Sequence, residues 1–168
     1  RSMFDQNSAR PNARAQVLGS TVTVRGIVTN GSELGKIRYL QDGTAGIAAF
    51  PGTGSVAGFD GAIFPGDSIE VKGTLVSFHG MLEITPITAF SVISTGNPIP
   101  KAKPISFSQI SDDFESQRVE FECITFNSAG GIFNGGTYTI TNSEGETTKV
   151  FFRSAHPMLG TSIPQGPI

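Results

Sequence analysis

The chain has no tryptophan, a single cysteine, Cys123, and two histidines, His79 and His156. One thiol can form no intrachain disulfide and no cysteine-based zinc site. Cys123 lies in the apolar pattern VEFECITF and reads as a buried, inert thiol. His79 falls in a tight turn, where it reads as a turn residue rather than a base. Charge is also sparse, at 15% of residues, so self-repulsion does not hold the chain unfolded. The net charge of −2 lacks the basic excess of a chain that grips phosphate backbones by releasing counterions, although a local basic stripe stays open. No apolar run approaches the roughly 20 residues of a membrane span, and no signal peptide is visible. The opening stretch RSMFDQNSARPNARAQ reads as a start created by processing or cloning, so the compartment is left open. The glycines of 52–66 lack the Gly-Lys-Ser/Thr ending of a phosphate-binding loop. The serines show no positioned His–Asp partner.

What the chain does have is glycine (21), proline (10) and phenylalanine (13), which means many turns and aromatic packing supplied mostly by Phe. Residues 1–17 are polar, carry Arg1, Arg10 and Arg14, and read as a tether. Patterned sequence starts at Leu18. STVTVRGIVTN (20–30) alternates, then changes phase at Gly26, which suggests a bulge or bend. KIRYLQ (36–41) and GIAAF (46–50) are a second and third strand. Asp42-Gly43 between them favours a two-residue hairpin. Residues 51–67 are Gly-rich without a helical period and read as a crossing. SIEVKGTLVSF (68–78) is a long fourth strand with Gly73 in its middle, and MLEITPITAFSVIS (81–94) is a fifth. Pro86 cannot donate to a ladder, so an edge or bulge is expected there. Long strands with mid-strand glycines suit a barrel that must bend sharply to close. The pattern is that of a small, partly open five-stranded barrel, the OB fold.

TGNPIPKAKPISF (95–107) is a proline-punctuated linker, and residues 95–117 together form a linker with a short helical turn near SFSQISDDFESQ. Asp112, Asp113 and Glu115 lack the spacing of a calcium loop and read as capping or solvation of that turn. The first pattern then recurs. TVTVRGIVTN (21–30) aligns with RVEFECITFN (118–127), YLQDGTAGIAAF (39–50) with TITNSEGETTKVFF (139–152), and FPGDSI (64–69) with IPQGPI (163–168). The expectation is an all-β protein: one OB domain over 18–94 and a second, incomplete OB-like unit over 118–168, a tandem repeat. Three strands alone would leave two apolar edges open. Either more chain follows, as a further C-terminal domain, or a strand-exchanged homodimer supplies the missing strands.

In VTVRGIVTN, YLQDGTAGI and PGDSIEVKG the chain resembles the OB-type domains appended to secreted bacterial nucleases and found in envelope proteins of Bacteroidetes. The resemblance covers residues 20–94 well and 118–168 loosely. It implies a secreted or cell-envelope protein and a non-catalytic module that binds single-stranded nucleic acid. The other reading is a structural or protein-interaction module without nucleotide affinity. The OB ligand face, strands two and three with their flanking loops, selects Arg25, Lys36, Arg38, Tyr39, Gln41, Phe50, Phe78 and His79. Strict alternation puts Lys36, Arg38 and Leu40 on one side and Ile37, Tyr39 and Gln41 on the other. The two basic residues are then either part of a ligand groove or a solvated strand face, and Tyr39 is either a stacking ring or a core ring with its hydroxyl at the rim. Residues 20–94 hold four basic and six acidic side chains, so no field gathers polyanions. No catalytic residue, metal ligand or cofactor is expected.

Overall fold

The computed structural model describes residues 18–168, so the expected tether, with Arg1, Arg10 and Arg14, lies outside the described residues. These residues form two compact units. The first takes residues 18–32, Lys36–Lys101 and Ser111–Arg118. The second takes Glu33–Gly35, Ala102–Ile110 and Val119–Ile168.

The first unit is a closed all-β barrel. Its strands are β1 (Thr21–Val28), β2 (Arg38–Gln41), β3 (Gly46–Ala49), β4 (Ser68–Phe78) and β5 (Met81–Ser94). Their order around the barrel is β1-β2-β3-β5-β4, with β4 returning to β1. All pairs are antiparallel except β3 with β5, where Ala48 faces Glu83 and Ala49 faces Ile84 in parallel register. The interior is aliphatic: Val28, Leu40, Ile47, Ile69, Val71, Leu75, Ile84 and Ile87 are fully or almost fully buried. The crossing between β3 and β4 is not wholly irregular, because one helical turn, α1 (Phe59–Ala62), interrupts it. That turn exists to insert Phe59, which is completely buried and meets Phe90 edge to face at 5.3 Å.

Gly26 does not bend β1. The pairing with β4 runs without a shift from Thr21↔Thr74 to Ile27↔Ser68. Val24, Gly26 and Val28 are all buried, so the phase never changes and Gly26 merely fills an inward position without a side chain. Gly73 is different. Gly73 pairs with Ile87 and Leu75 with Ile84, leaving Thr85 and Pro86 opposite Thr74 alone. This is a bulge on β5, and Pro86, with no N–H for the ladder, falls inside it. A Cβ on Gly73 would stand 2.5 Å from the Pro86 carbonyl oxygen and 2.6 Å from Ile84 Cγ2, so only glycine lets the strands approach this closely.

The Asp42-Gly43 turn is longer than a two-residue hairpin. Gln41 pairs with Gly46, and the Asp42 N–H donates to the Ala45 carbonyl. The Asp42 carboxylate heads the loop by accepting from the Thr44 and Ala45 amides. The two-residue turn lies instead at His79-Gly80, where φ is 50° and 93° and Phe78 pairs with Met81.

In the second unit, short strands β6 (Lys103–Pro104) and β7 (Val119–Glu120) pair in parallel. Strands β8 (Thr125–Phe126), β9 (Gly136–Thr141) and β10 (Thr147–Phe152) form an antiparallel sheet in the order β10-β9-β8. The single strand expected over 118–127 is broken between β7 and β8. Cys123 sits in that break with φ 55° and is exposed, not buried, because the chain leaves the ladder there. The core is aromatic: buried Phe133 contacts Phe126, Tyr138 and Phe152 at centroid distances of 5.2, 5.3 and 4.9 Å.

Gly73→Ala is expected to destabilise the chain by about 2–3 kcal/mol, since overpacking against backbone cannot relax by rotamer change. Gly43→Ala is the control, at a glycine where an added Cβ meets nothing within 4 Å. Urea midpoints of the two variants check this, and a Gly73→Ala chain as stable as wild type contradicts it.

Candidate ligand face on the barrel

Alternation along β2 sends Leu40 into the core, and Arg38 goes with it. Arg38 is only 2% exposed. Its guanidinium donates to the backbone carbonyls of Ile63, Gly31, Ile37 and Asp60. Arg38 therefore ties α1 and the β1–β2 loop to β2. Neither a solvated strand face nor a ligand groove describes it, because the side of the strand it shares with Leu40 is the interior.

Tyr39 and Gln41 point outward from β2. Opposite them on β3 stand the small residues Ala48 and Gly46, and beyond these on β5 stand Glu83 and its same-face neighbour Met81. The Tyr39 ring is half-buried and its hydroxyl contacts Met81 Sδ at 3.8 Å. Across the hairpin from Met81, Phe78 is 56% exposed and packs edge to face on the exposed His79 at 4.5 Å. Tyr39, Met81, Phe78 and His79 thus form one connected apolar rim.

The other candidates do not join it. Arg25 is exposed on β1, opposite Glu70 of β4, with Nε 3.4 Å from Ser68 Oγ. Lys36 is exposed just ahead of β2. Phe50, 36% exposed, follows β3 at the end of the face away from Met81. His156, in the second unit, accepts the Met158 amide on Nδ1. Among the described residues, no three His, Cys, Asp or Glu side chains converge as metal ligands.

Gln41 and Ala48 face outward yet are buried. The cover over this face is Ser111–Arg118, of which residues 111–117 were expected to be linker and Arg118 to open the second unit. The Gln41 side-chain oxygen accepts the Arg118 amide at 3.0 Å. A Glu115 carboxylate oxygen accepts the Leu82 amide at 3.1 Å. A Cβ on Gly46 would collide with the Ser116 carbonyl, so β3 carries glycine where the segment passes. A short 3-10 turn, Asp112–Phe114, opens this stretch, and another, Phe107–Gln109, precedes it. Sequence reasoning took Glu115 for capping or solvation of a short turn and passed over Ser116 and Arg118; the barrel partners of Glu115 and Arg118 lie 33 and 77 residues away in the chain. Glu83 was also missed, although its outward position between Met81 and Thr85 was legible from alternation. It is 5% exposed, and burial pushes its pKa above the ordinary carboxylate value.

No family model and no curated protein matches the chain. Among solved structures it is similar to one described as "Crystal structure of a putative aspartyl-tRNA synthetase from Leishmania major Friedlin", with 18% identity and a TM-score of 0.40. That match covers 57% of this chain, which spans about a fifth of the other protein's length, 22%.

Arg38→Ala is expected to destabilise the protein by about 2–4 kcal/mol, because the carbonyls it serves lose a charged donor in the interior. Phe78→Ala is expected to change stability by less than about 1 kcal/mol, its ring being mostly in water. Chemical denaturation of both variants tests the contrast. For Glu83 the raised pKa means that folding favours the neutral acid. Stability from this group is full below the unfolded value of about 4.3 and declines as pH rises through the folded value. Glu83→Gln is therefore expected to raise the melting temperature at neutral pH, with the gain shrinking as pH falls towards about 4. A gain independent of pH contradicts the assignment.

Proposed function

We propose that the chain is a non-catalytic binding module of OB type that acts as a protein-interaction module. The OB assignment is supported by the closed order β1-β2-β3-β5-β4, the single parallel β3–β5 pair and the helical turn between β3 and β4. The second unit is a variant of the same design. In both units an Asx side chain heads the turn between the second and third strands, Asp42 in one and Asn142 in the other. In both, the strand leading into the sheet ends with a matching amide bond, Thr29 to Tyr39 and Asn127 to Thr139. The motif resemblance at residues 39–47 and 65–73 points to a secreted or envelope setting.

One observation carries the interaction reading: the outer face of β2, β3 and β5 receives a peptide segment through backbone and side-chain hydrogen bonds. Cations that would grip phosphates are few there, and Arg38 is committed to the interior. A second reading, single-stranded nucleic acid, is favoured by the exposed Phe78–His79 pair, whose rings could stack on bases.

Fluorescence-anisotropy titration with labelled single-stranded DNA at low and moderate salt separates the two. The expected result is no saturable binding up to tens of micromolar DNA. Saturable binding that falls with salt, and that Phe78→Ala weakens about tenfold or more, would move the assignment to nucleic acid.

A further inference from the structure

The contacts of Ser111–Arg118 with the barrel are specific but internally costly. Three features receive the segment. The Leu82 amide at the open edge of β5 meets the Glu115 carboxylate. The bare Cα of Gly46 admits the Ser116 carbonyl. The buried Gln41 amide group takes the Arg118 N–H. Against these stand two penalties at one residue. Ser116 has φ 60°, a left-handed conformation that L side chains disfavour. Its hydroxyl is buried without a hydrogen-bond partner. A segment evolved only to seal this face has no need of a serine there, since glycine would remove both penalties.

We infer that the outer face of β2, β3 and β5 is a docking surface for a short, turn-forming peptide of the pattern Glu-Ser-Gln, and that Ser111–Arg118 is its resident, exchangeable occupant. This rests on the interaction-module reading and names the partner chemistry of that same face. The recognised elements are a carboxylate for the Leu82 amide, a small residue able to turn left-handed over Gly46, and a backbone N–H two residues further on for Gln41. Tethering holds the resident segment at a high effective concentration. A partner therefore gains access only when it carries the same three elements with less internal cost, or when the resident segment is weakened. The rim formed by exposed Phe78 with half-buried Tyr39 and Met81 borders the covered face and offers an incoming chain its first apolar contact.

The test combines amide hydrogen exchange on the intact chain with anisotropy titration of a labelled peptide, SDDFESQR. The Arg118 amide is expected to exchange at least about tenfold faster than that of Val71 in the β4 ladder, because the segment opens without unfolding the barrel. Glu115→Ala is expected to speed Arg118 exchange further and to raise affinity for the peptide by about tenfold over wild type. A peptide with glycine in the serine position, SDDFEGQR, is expected to bind more tightly than SDDFESQR. The proposal is overturned if Arg118 exchanges only at the rate of Val71, a readout that needs no variant to fold. It is equally overturned if the Glu115→Ala chain binds SDDFESQR no better than a scrambled peptide. DNA titration of the same proteins keeps the two readings apart. Salt-dependent DNA binding defeats the interaction module itself, whereas loss of peptide binding without DNA binding defeats only the exchangeable occupant.

Discussion

The barrel depends on one backbone contact, the approach of the Pro86 carbonyl to the bare Cα of Gly73. A five-stranded sheet closes only if its longest strands turn through a large angle over a few residues. The 11 residues of β4 and the 14 of β5 are the long strands here. The extra residue of the bulge at Thr85–Pro86 tightens the local twist. It also frees the Ile87 backbone to bond the crossing loop: the Ile87 amide donates to Ser55 Oγ, and its carbonyl accepts from Val56. Closure at Gly73 and placement of the loop that carries Phe59 are thus one event, and the aliphatic core follows from both.

Arg38 is the second constraint, and it works by geometry more than by charge. An arginine inside a small barrel is tolerable only when its forked donors meet acceptors in several directions. The end of β2 supplies them because α1 and the β1–β2 loop both turn carbonyls inward there. Hydrogen bonds to backbone oxygens compensate the guanidinium in place of the solvent it has left. The same arrangement removes from the outer face the one strand cation that a polyanion ligand could have used. Structure and ligand chemistry are coupled at this residue: what holds the barrel end together leaves its face nearly uncharged.

Local chemistry was legible in the sequence wherever a residue acts on its neighbours. The bounds of β4 and β5 follow from alternation and the His79-Gly80 turn, and Pro86 announced its bulge because proline lacks a donor. Gly26 and Gly73 looked alike, yet their roles divide on what lies across the ladder, an unshifted partner for one and a bulge carbonyl for the other. Asp42-Gly43 misled because the aspartate side chain, rather than the glycine φ, closes that turn. Alternation correctly grouped Arg38 with Leu40, but the side they share is the interior, and the carbonyls that accept Arg38 come from as far as 25 residues away. The cover over the ligand face was illegible for the same reason. Nothing in SDDFESQR encodes a docking site, since its partners are a glutamine, a glycine and an open strand amide that become a site only once the barrel exists.

These constraints together explain why an outward sheet face can be buried without being apolar. Gln41, Gly46, Ala48 and Glu83 would make a poor hydrophobic patch, and a flat apolar cover would leave the Leu82 amide and the Gln41 side-chain oxygen without the partners that Glu115 and Arg118 supply. A polar segment is the better cover because it brings acceptors and donors to match. Covering still removes water from Glu83, whose pKa rises accordingly, and forces Ser116 into a left-handed conformation with a buried hydroxyl. A face that is specific in its hydrogen bonds yet costly to keep covered holds its cover by tethering as much as by affinity. That balance is the physical difference between a sealed core and a binding surface.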